Sequence, residues 1–442
     1  MKLVYHKGTI LIYGKYSIPY AKWDYRSKCY RALALYYRDI IEYLENSKIV
    51  HEDNVLNLIP CPQLSTNINL RNYQKEAIER WLKFKKGVIV MPTGSGKTVL
   101  AIKIIEKINS PAFIVVPTLN LVKQWKEKLE EAFKIKIGEY TGERKDLQAI
   151  TVSTYDSAYI NAENLGNKFK LLIFDEVHHL PAEAYRQIAE FFASPYRLGL
   201  TATYEREDGL HEDLPRLIGG KVYEIKAGEL AGKYLAEYEI IKIGVELDEE
   251  EKKEYEKYYK IFRNYVISRG IEMKSSQDFE KVVTRAGYDK EAREAILARN
   301  KAEKIAYNSK GKLEMLRKIL RENRKSRIII FTRYNDMVYE ISKKFFIPCI
   351  TYRTDDRERE EILKKFKEGK YSAIVSSQVL DEGIDVPEAN VGIIVSGTGS
   401  GREYIQRLGR LLRPREGKKA ILYELITKGT KEVRTSYRRK IR

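Results

Sequence analysis

Residues 87–98 of the chain are GVIVMPTGSGKT. The first half of this segment is a short apolar run without polar alternation, which is typical of a strand buried on both faces of a parallel sheet. The second half is a glycine-rich turn that leads into an amphipathic helix. Glycines let backbone amides turn inward around phosphate oxygens, and the N-terminus of the helix adds partial positive charge. Strand, turn and helix together predict an α/β fold that binds ATP or GTP.

Individual residues of this turn have expected roles in binding a triphosphate. We expect the backbone amides of Gly94, Ser95 and Gly96 to surround the phosphate oxygens. Lys97 would reach the β- and γ-phosphates, and the hydroxyl of Thr98 would be a ligand of Mg²⁺. The turn therefore predicts a nucleoside triphosphate site that uses Mg²⁺.

Short apolar runs recur along the chain, separated by longer amphipathic segments. A first series lies at 87–91, 112–116, 149–152, 171–174 and 197–200, and a second at 327–331, 373–375, 391–395 and 420–425. Such runs with helices between them predict doubly wound parallel sheets. The sequence therefore predicts two tandem α/β lobes, which we place at residues 66–230 and 231–442.

Two segments lie outside these series. Residues 1–65 mix short apolar runs with a helical pattern near 31–45, and the pattern is interrupted by the prolines at 60 and 62, which predicts a small α+β domain. Residues 248–310 have a helical and highly charged pattern. This second segment is interpreted either as a solvated helical hairpin or as a grip on nucleic acid.

The composition limits the class of protein. Lys and Arg total 81 against 62 Asp and Glu, a net charge of +19, which favours a polyanionic partner such as nucleic acid. The three cysteines (Cys29, Cys61 and Cys349) are too few and too far apart for a disulfide framework, a four-cysteine zinc site or an iron–sulfur cluster. We expect a cytoplasmic protein with no membrane partner, because the sequence has no long apolar run and no secretory signal pattern.

An acidic pair follows another apolar run in FDEVHH, residues 174–179. A carboxylate at the end of a strand beside a phosphate-binding turn suits coordination of Mg²⁺, and we assign this role to Asp175. Glu176 would orient or deprotonate the attacking water. Taken alone, the pair could equally cap a helix. We expect His178 and His179 to couple the nucleotide site to neighbouring loops, since no further metal ligand is near them.

Arginines are concentrated in QRLGRLLR, residues 406–413. Arg410 and Arg413 are three residues apart and share one face of a helix. Such arginines stabilise the charge that develops on a γ-phosphate. We therefore expect Gln406, Arg410 and Arg413 to complete a composite catalytic site when the two lobes close, and this closure would convert hydrolysis into motion.

Further segments resemble the motifs of a known family. They are LRNYQ at 70–74, PTLNLVKQW at 117–125, VSTY at 152–155, TAT at 201–203, IIFT at 329–332 and VLDEGIDVP at 379–387. The whole set is similar to the core of superfamily 2 helicases. The triplet Arg206-Glu207-Asp208 narrows this resemblance to the XPB family of DNA helicases in its short archaeal form.

The resemblance implies a fold and a set of residue roles. It implies two RecA-like lobes, a damage-recognition-like domain at 1–65 and a thumb insertion at 248–310. It further implies that Arg71 and Gln74 contact the adenine. The residues that it implies in DNA binding are Thr118, Thr154, Arg206, Glu207, Asp208, Thr332 and Gly383.

The activity implied by the resemblance is ATP- and Mg²⁺-dependent DNA unwinding or translocation in the 3′–5′ direction. The substrate would be single-stranded DNA or a duplex junction, in nucleotide excision repair or duplex opening, and a nuclease could be a protein partner. Three alternatives stay open: an RNA helicase, a DNA-binding ATPase switch that clamps or distorts duplex without processive unwinding, and the motor of a restriction enzyme. For the last, the sequence has no nuclease-like carboxylate cluster outside the ATP site.

Overall fold

The computed structural model describes residues 1–14, 16–206, 208–230, 237–273, 276–377, 389–397 and 419–438. These residues form two compact units, the first up to Leu230 and the second from the strand that begins at Glu237. The division of the chain into domains at residues 1–65, 66–230 and 231–442 stays a prediction. Within the described residues, no helix combines the length and the apolar character that crossing a bilayer requires.

The N-terminal domain is a five-stranded sheet with one α-helix packed on it. In order across the sheet, the strands are β3 (Lys22–Asp24), β4 (Cys29–Leu33), β2 (Thr9–Tyr13), β1 (Lys2–His6) and β5 (Glu52–Asn54). Helix α1 (Tyr37–Asn46) follows a 3₁₀ turn and buries Ile40 and Leu44. The predicted helix began at residue 31, which is wrong because residues 30–33 pair with β2 instead.

This domain is attached firmly to the first lobe. The Tyr5 hydroxyl lies 2.9 and 3.0 Å from the carbonyl oxygens of Glu163 and Phe191. The amide of Asn57 donates to the carbonyl of Asn167, with N and O 2.9 Å apart. A methyl group on Gly166 would lie 2.1 Å from the Phe191 carbonyl oxygen and 2.2 Å from the Tyr5 hydroxyl. The two parts therefore share one packed interface inside the first unit.

The first lobe is built on an eight-stranded sheet. Its strands are parallel apart from β9, which is antiparallel to β8. In order across the sheet they are β13 (Lys221–Glu224), β6 (Lys86–Val90), β12 (Tyr196–Thr201), β11 (Leu171–Asp175), β7 (Ala112–Val116), β10 (Ile150–Thr154), β8 (Gly138–Tyr140) and β9 (Lys145–Asp146). The predicted parallel sheet is confirmed.

Helices cover both faces of this sheet. They are α2 (Asn72–Phe84), α3 (Lys97–Ile108), α4 (Leu119–Phe133), α5 (Tyr155–Leu165), α6 (Arg186–Phe191), α7 (Leu214–Ile218) and α8 (Ala227–Leu230). Phe113 and Phe174 pack on one face with residues of α5, α6 and α7. Because side chains alternate along a strand, Ile89 and Ile173 point to the other face, and they are also fully buried. This double covering explains the continuous apolar runs of the sequence.

The second unit contains a six-stranded parallel sheet. In order across the sheet, its strands are β14 (Glu237–Val245), β19 (Lys419–Thr427), β18 (Val391–Ile394), β15 (Ile328–Phe331), β17 (Ala373–Ser376) and β16 (Cys349–Ile350). The apolar runs did not predict β14 and β16, the two edge strands of this sheet. The expected second lobe is otherwise confirmed as a parallel α/β sheet.

The helices of this unit fall into two groups. The predicted insertion contains α9 (Glu249–Ser268), α10 (Ser276–Arg285) and α11 (Lys290–Tyr307). The remaining helices are α12 (Lys310–Glu322), α13 (Asn335–Phe345), α14 (Asp356–Lys367) and α15 (Lys431–Arg438). A fully buried ion pair between Lys312 of α12 and Glu432 of α15, with N and O 2.7 Å apart, joins two of them.

Candidate active site

The glycine-rich turn connects β6 to α3 at the carboxyl edge of the first sheet. Gly94 and Gly96 have φ angles of 81° and 85°, in the left-handed region that glycine adopts without strain. A Cβ on Gly96 would also lie 2.6 Å from Nε2 of Gln74. The positive φ and the close approach of the Gln74 side chain therefore favour glycine at position 96, and the turn presents its amides at the start of α3.

The side chain of Gln74 holds this turn in place. Its Nε2 donates to the Ser95 carbonyl at 3.1 Å, and its Oε1 accepts from the backbone amide of Arg71 at 2.9 Å. Tyr73 donates from its hydroxyl to the same Ser95 carbonyl at 2.7 Å. The structure thus brings the predicted adenine-contacting residues to the turn, and the Gln74 carboxamide is already bound within the protein. Contact with adenine stays a prediction.

Lys97 is the first residue of α3 and lies beside the acidic pair. Its ammonium donates to the Met91 carbonyl at 3.3 Å, and its Nζ is 3.9 Å from Oε1 of Glu176. The two side chains are only 11% and 16% exposed. An ammonium has three N–H donors. The arrangement leaves a partly buried cation next to the turn, where a phosphate would bind.

Asp175 is a buried carboxylate at the end of β11. Its side chain accepts two hydrogen bonds, from Nε1 of Trp125 to Oδ2 at 2.8 Å and from the Glu176 amide to Oδ1 at 3.1 Å. Burial raises the pKa of Asp175 to about 6, and the Glu176 carboxylate adds to the rise, while Lys97 and the Trp125 N–H oppose it. Trp125 ends the PTLNLVKQW segment, but nothing in the sequence links it to Asp175, because the two residues are 50 positions apart.

Glu176 connects the turn to the end of β12. It has a φ of 49°, an uncommon value for a non-glycine residue and one often found at functional sites. Its Oε2 lies 3.5 Å from both the Thr201 hydroxyl and Nδ1 of His178. His178 Nδ1 is itself 3.0 Å from the Thr201 hydroxyl. His178 thus contacts both Glu176 and Thr201, and the expected coupling of the nucleotide site to neighbouring loops through the histidine pair stays a prediction.

Arg206 also belongs to this network. Its guanidinium donates to the backbone carbonyl of His178 and makes a two-pronged hydrogen bond with the Asp208 carboxylate, at 2.9 Å from Nε to Oδ1 and 2.5 Å from NH2 to Oδ2. These hydrogen bonds lower the pKa of Asp208 to about 2. Glu207 lies outside the described residues. The structure therefore connects Arg206 directly to the FDEVHH segment.

Thr118 and Thr154 lie at the ends of two neighbouring strands: Thr118 is two residues after β7, and Thr154 is the last residue of β10. Each caps the helix that begins after it: the Thr118 hydroxyl accepts from the Leu121 amide, and the Thr154 hydroxyl from the Ser157 amide, both at 3.3 Å. The N-termini of α4 and α5 thus lie at one edge of the sheet. Helix N-termini attract phosphate groups, which fits the predicted contacts with a nucleic-acid backbone.

In the second unit, Thr332 directly follows β15 and is buried. Its hydroxyl lies 2.8 Å from the hydroxyl of Ser396. The other predicted site residues of this half, Gly383, Gln406, Arg410 and Arg413, lie outside the described residues. Their roles stay predictions.

The donor atoms at the first lobe fit Mg²⁺ bound together with a triphosphate. The set consists of the half-buried Thr98 hydroxyl and the Asp175 carboxylate. No cluster of three or more Asp, Glu, His or Cys suited to a metal occurs in the part of the chain that the structure describes. Mg²⁺ prefers one or two protein oxygens plus phosphates and water. Fold and site together define a P-loop nucleoside triphosphatase.

Comparisons with known families agree with this class. Residues 67–206 match the family described as "Type III restriction enzyme, res subunit", and residues 311–415 match "Helicase conserved C-terminal domain". Residues 3–55 match "Xeroderma pigmentosum group B helicase damage recognition domain". The helicase domain of Hef from Pyrococcus furiosus has a similar fold, with a TM-score of 0.54 and 21% identity, over 83% of this chain and 97% of that one.

Full-length relatives narrow the class to one family. The chain is 50% identical over 438 residues to "DNA 3'-5' translocase XPB2" from Sulfurisphaera tokodaii, covering 99% of both proteins. It is 30% identical to "DNA 3'-5' helicase XPB" from Mycobacterium tuberculosis, over 81% of this chain and 61% of that protein. Six further curated relatives are longer, and the chain spans only 50–61% of their length. The chain belongs to the XPB family of ATP-dependent DNA helicases and translocases.

Proposed function

We propose that this protein hydrolyses ATP with Mg²⁺ in its first lobe and uses the cycle to move 3′–5′ along DNA and open the duplex locally, in nucleotide excision repair or a related process. One observation carries the proposal. Lys97, Asp175 and Glu176 converge at the carboxyl edge of the first sheet, beside a turn whose backbone angles favour glycine. The strand contacts, the polarity and the repair role rest on similarity to the family.

Each residue of the site has a role in this proposal. The amides of residues 94–97 and the Lys97 ammonium bind the phosphates, and Thr98 and Asp175 hold Mg²⁺. Mg²⁺, when bound, neutralises charge on the β- and γ-phosphate oxygens. Glu176 orients the attacking water and accepts its proton, held in place through Thr201 and His178. Arg410 and Arg413 stay candidates for stabilising charge on the γ-phosphate.

The proposed path of the DNA follows the N-termini of α4 and α5. Thr118 and Thr154 mark these two helix ends, and backbone amides there suit phosphates of a strand bound without regard to sequence. Thr332 and Gly383 would hold the strand at the second lobe, and Arg206, Glu207 and Asp208 would act where the duplex opens. A nuclease as partner protein and an intracellular location remain parts of this proposal.

The first experiment compares ATP turnover with single-stranded DNA, duplex DNA and RNA of equal length, using wild type and Lys97→Ala. We expect DNA to stimulate turnover more than RNA, and Lys97→Ala to abolish it without changing the circular dichroism spectrum. Lys107→Ala is the matched control, because Lys107 is an exposed lysine in the last turn of the same helix. Undiminished hydrolysis by Lys97→Ala would disprove the assigned nucleotide site.

A strand-displacement assay with tailed and blunt duplexes then separates the open alternatives. Displacement of a strand that carries a 3′ tail supports a 3′–5′ translocase. Strong ATPase without displacement from any substrate supports the clamp or switch instead. In the turnover assay, stimulation of ATP hydrolysis by RNA equal to that by DNA supports an RNA helicase.

A further inference from the structure

Trp125 is a core residue of α4 that also reaches the proposed metal site. The buried face of α4 consists of Val122, Trp125, Leu129 and Phe133, an apolar stripe that packs against the sheet. Phenylalanine or leucine would fill such a position. Tryptophan brings in addition a ring N–H, which needs an acceptor when it is buried. With Trp125 only 2% exposed, that acceptor is Oδ2 of Asp175, at 2.8 Å.

The Asp175 carboxylate is held by one donor on each oxygen. The Glu176 amide binds Oδ1, and the Trp125 indole binds Oδ2. Each carboxylate oxygen can accept about two hydrogen bonds or ligand contacts. Two donors on different oxygens therefore fix the plane of the carboxylate and leave further lone pairs for a cation. The indole N–H is thus a second hydrogen-bond donor that orients the carboxylate, and it comes from α4, which is distant from Asp175 in the sequence.

We propose that Trp125 is a positioning residue for catalysis, whose ring N–H orients Asp175 for binding Mg²⁺ together with the nucleotide. The inference rests on the proposed function, since it assumes that Asp175 is a Mg²⁺ ligand. Hydrogen-bond partners of metal ligands typically change metal affinity about 10–100-fold when they are removed. Trp125 would therefore set the Mg²⁺ requirement of the site without touching the nucleotide.

The test uses Trp125→Phe, which keeps an aromatic ring and removes the N–H. Mg²⁺ is titrated into protein saturated with a non-hydrolysable ATP analogue, and the rise in melting temperature is recorded. We expect the half-saturating Mg²⁺ concentration to increase about tenfold in the variant. We expect the affinity for the analogue in EDTA to be unchanged, because Trp125 acts through the metal ligand alone.

Trp81→Phe is the matched control. Trp81 is fully buried in the same lobe, and its ring N–H donates to the Arg197 carbonyl at 3.1 Å, so this variant also loses a buried indole hydrogen bond. We expect it to lose stability and keep the Mg²⁺ dependence of wild type. A wild-type Mg²⁺ requirement in Trp125→Phe, or the same shift in Trp81→Phe, overturns the inference. Wild-type protein that shows no Mg²⁺ effect at all would instead disprove the proposed nucleotide site.

A second measurement does not depend on the variant being stable. Wild-type protein labelled with 5-fluorotryptophan has three fluorine resonances, from Trp23, Trp81 and Trp125. Each resonance is assigned from Trp23→Phe and Trp81→Phe, the third by elimination. Adding Mg²⁺ to the analogue complex should shift the Trp125 resonance and leave that of Trp81 in place. An unmoved Trp125 resonance contradicts the inference.

Discussion

Asp175 illustrates a conflict between stability and function within a single residue. Its carboxylate is only 7% exposed and lies next to a second carboxylate, and these two facts raise its pKa to about 6. A raised acid pKa means that the folded protein binds the proton more tightly than the unfolded chain does. The contribution to stability is therefore full below about pH 4 and is lost as the pH rises through 6.

Asp175→Asn is expected to gain stability relative to wild type as the pH rises towards neutrality. The amide is of similar size and carries no charge, but its single oxygen can accept from only one of the two N–H donors, so one hydrogen bond is lost at every pH. The difference in free energy of unfolding between variant and wild type should therefore be roughly 2–3 kcal/mol more favourable to the variant at pH 7.5 than near pH 4. Urea unfolding of both proteins at several pH values measures this difference, and a gain that does not depend on pH would contradict the stated cause.

At the level of elements, a buried ion pair between Lys312 and Glu432 links helices and strands of the second unit. Lys312 donates to both carboxylate oxygens of Glu432, at 2.7 and 2.8 Å, and to the Val395 carbonyl at 2.7 Å. Glu432 also accepts from the Thr427 amide at 2.9 Å. The pair thus joins α12, α15 and the ends of two strands.

Breaking this pair on one side is expected to be costly. Lys312→Met leaves the Glu432 carboxylate buried without its cation, and Glu432→Gln leaves the ammonium without its anion, so each should lose about 3–5 kcal/mol of stability. The double variant should lose clearly less than the sum, because neither charge is left alone. Urea unfolding measures all three. Additive losses would show that the two side chains act independently.

The sequence predicted those elements whose signal is local. The turn at 87–98 and the acidic pair at 175–176 are short segments whose chemistry follows from neighbouring residues. Strands β14 and β16 were not predicted because both are edge strands without a long apolar run: polar and apolar residues mix in β14, and β16 has only two residues. Trp125 and Arg206 were not predicted as partners of the acidic segment, because tertiary packing alone brings them to Asp175 and to the His178 carbonyl.

At the largest scale that the structure defines, the N-terminal domain and the first lobe form one body. Gly166→Ala tests this interface, since the added methyl group would collide with the Phe191 carbonyl and the Tyr5 hydroxyl. We expect a loss of about 1–3 kcal/mol from overpacking. We also expect earlier proteolytic cleavage between residues 47 and 65, followed by mass spectrometry.

Gly142→Ala provides the control for this prediction. It makes the same chemical change in the same lobe, where a Cβ would meet nothing within 4 Å. Its stability and cleavage pattern should match those of wild type. Equal behaviour of the two alanine variants would show that the domain does not depend on this contact.

The attachment of the N-terminal domain has a mechanical consequence. The junction is held by hydrogen bonds of Tyr5 and Asn57 and by close packing at Gly166. The five-stranded sheet is therefore fixed to the first lobe and does not hang from a flexible linker. A displacement of the first lobe would therefore carry this sheet with it, and the two would keep the same relative position.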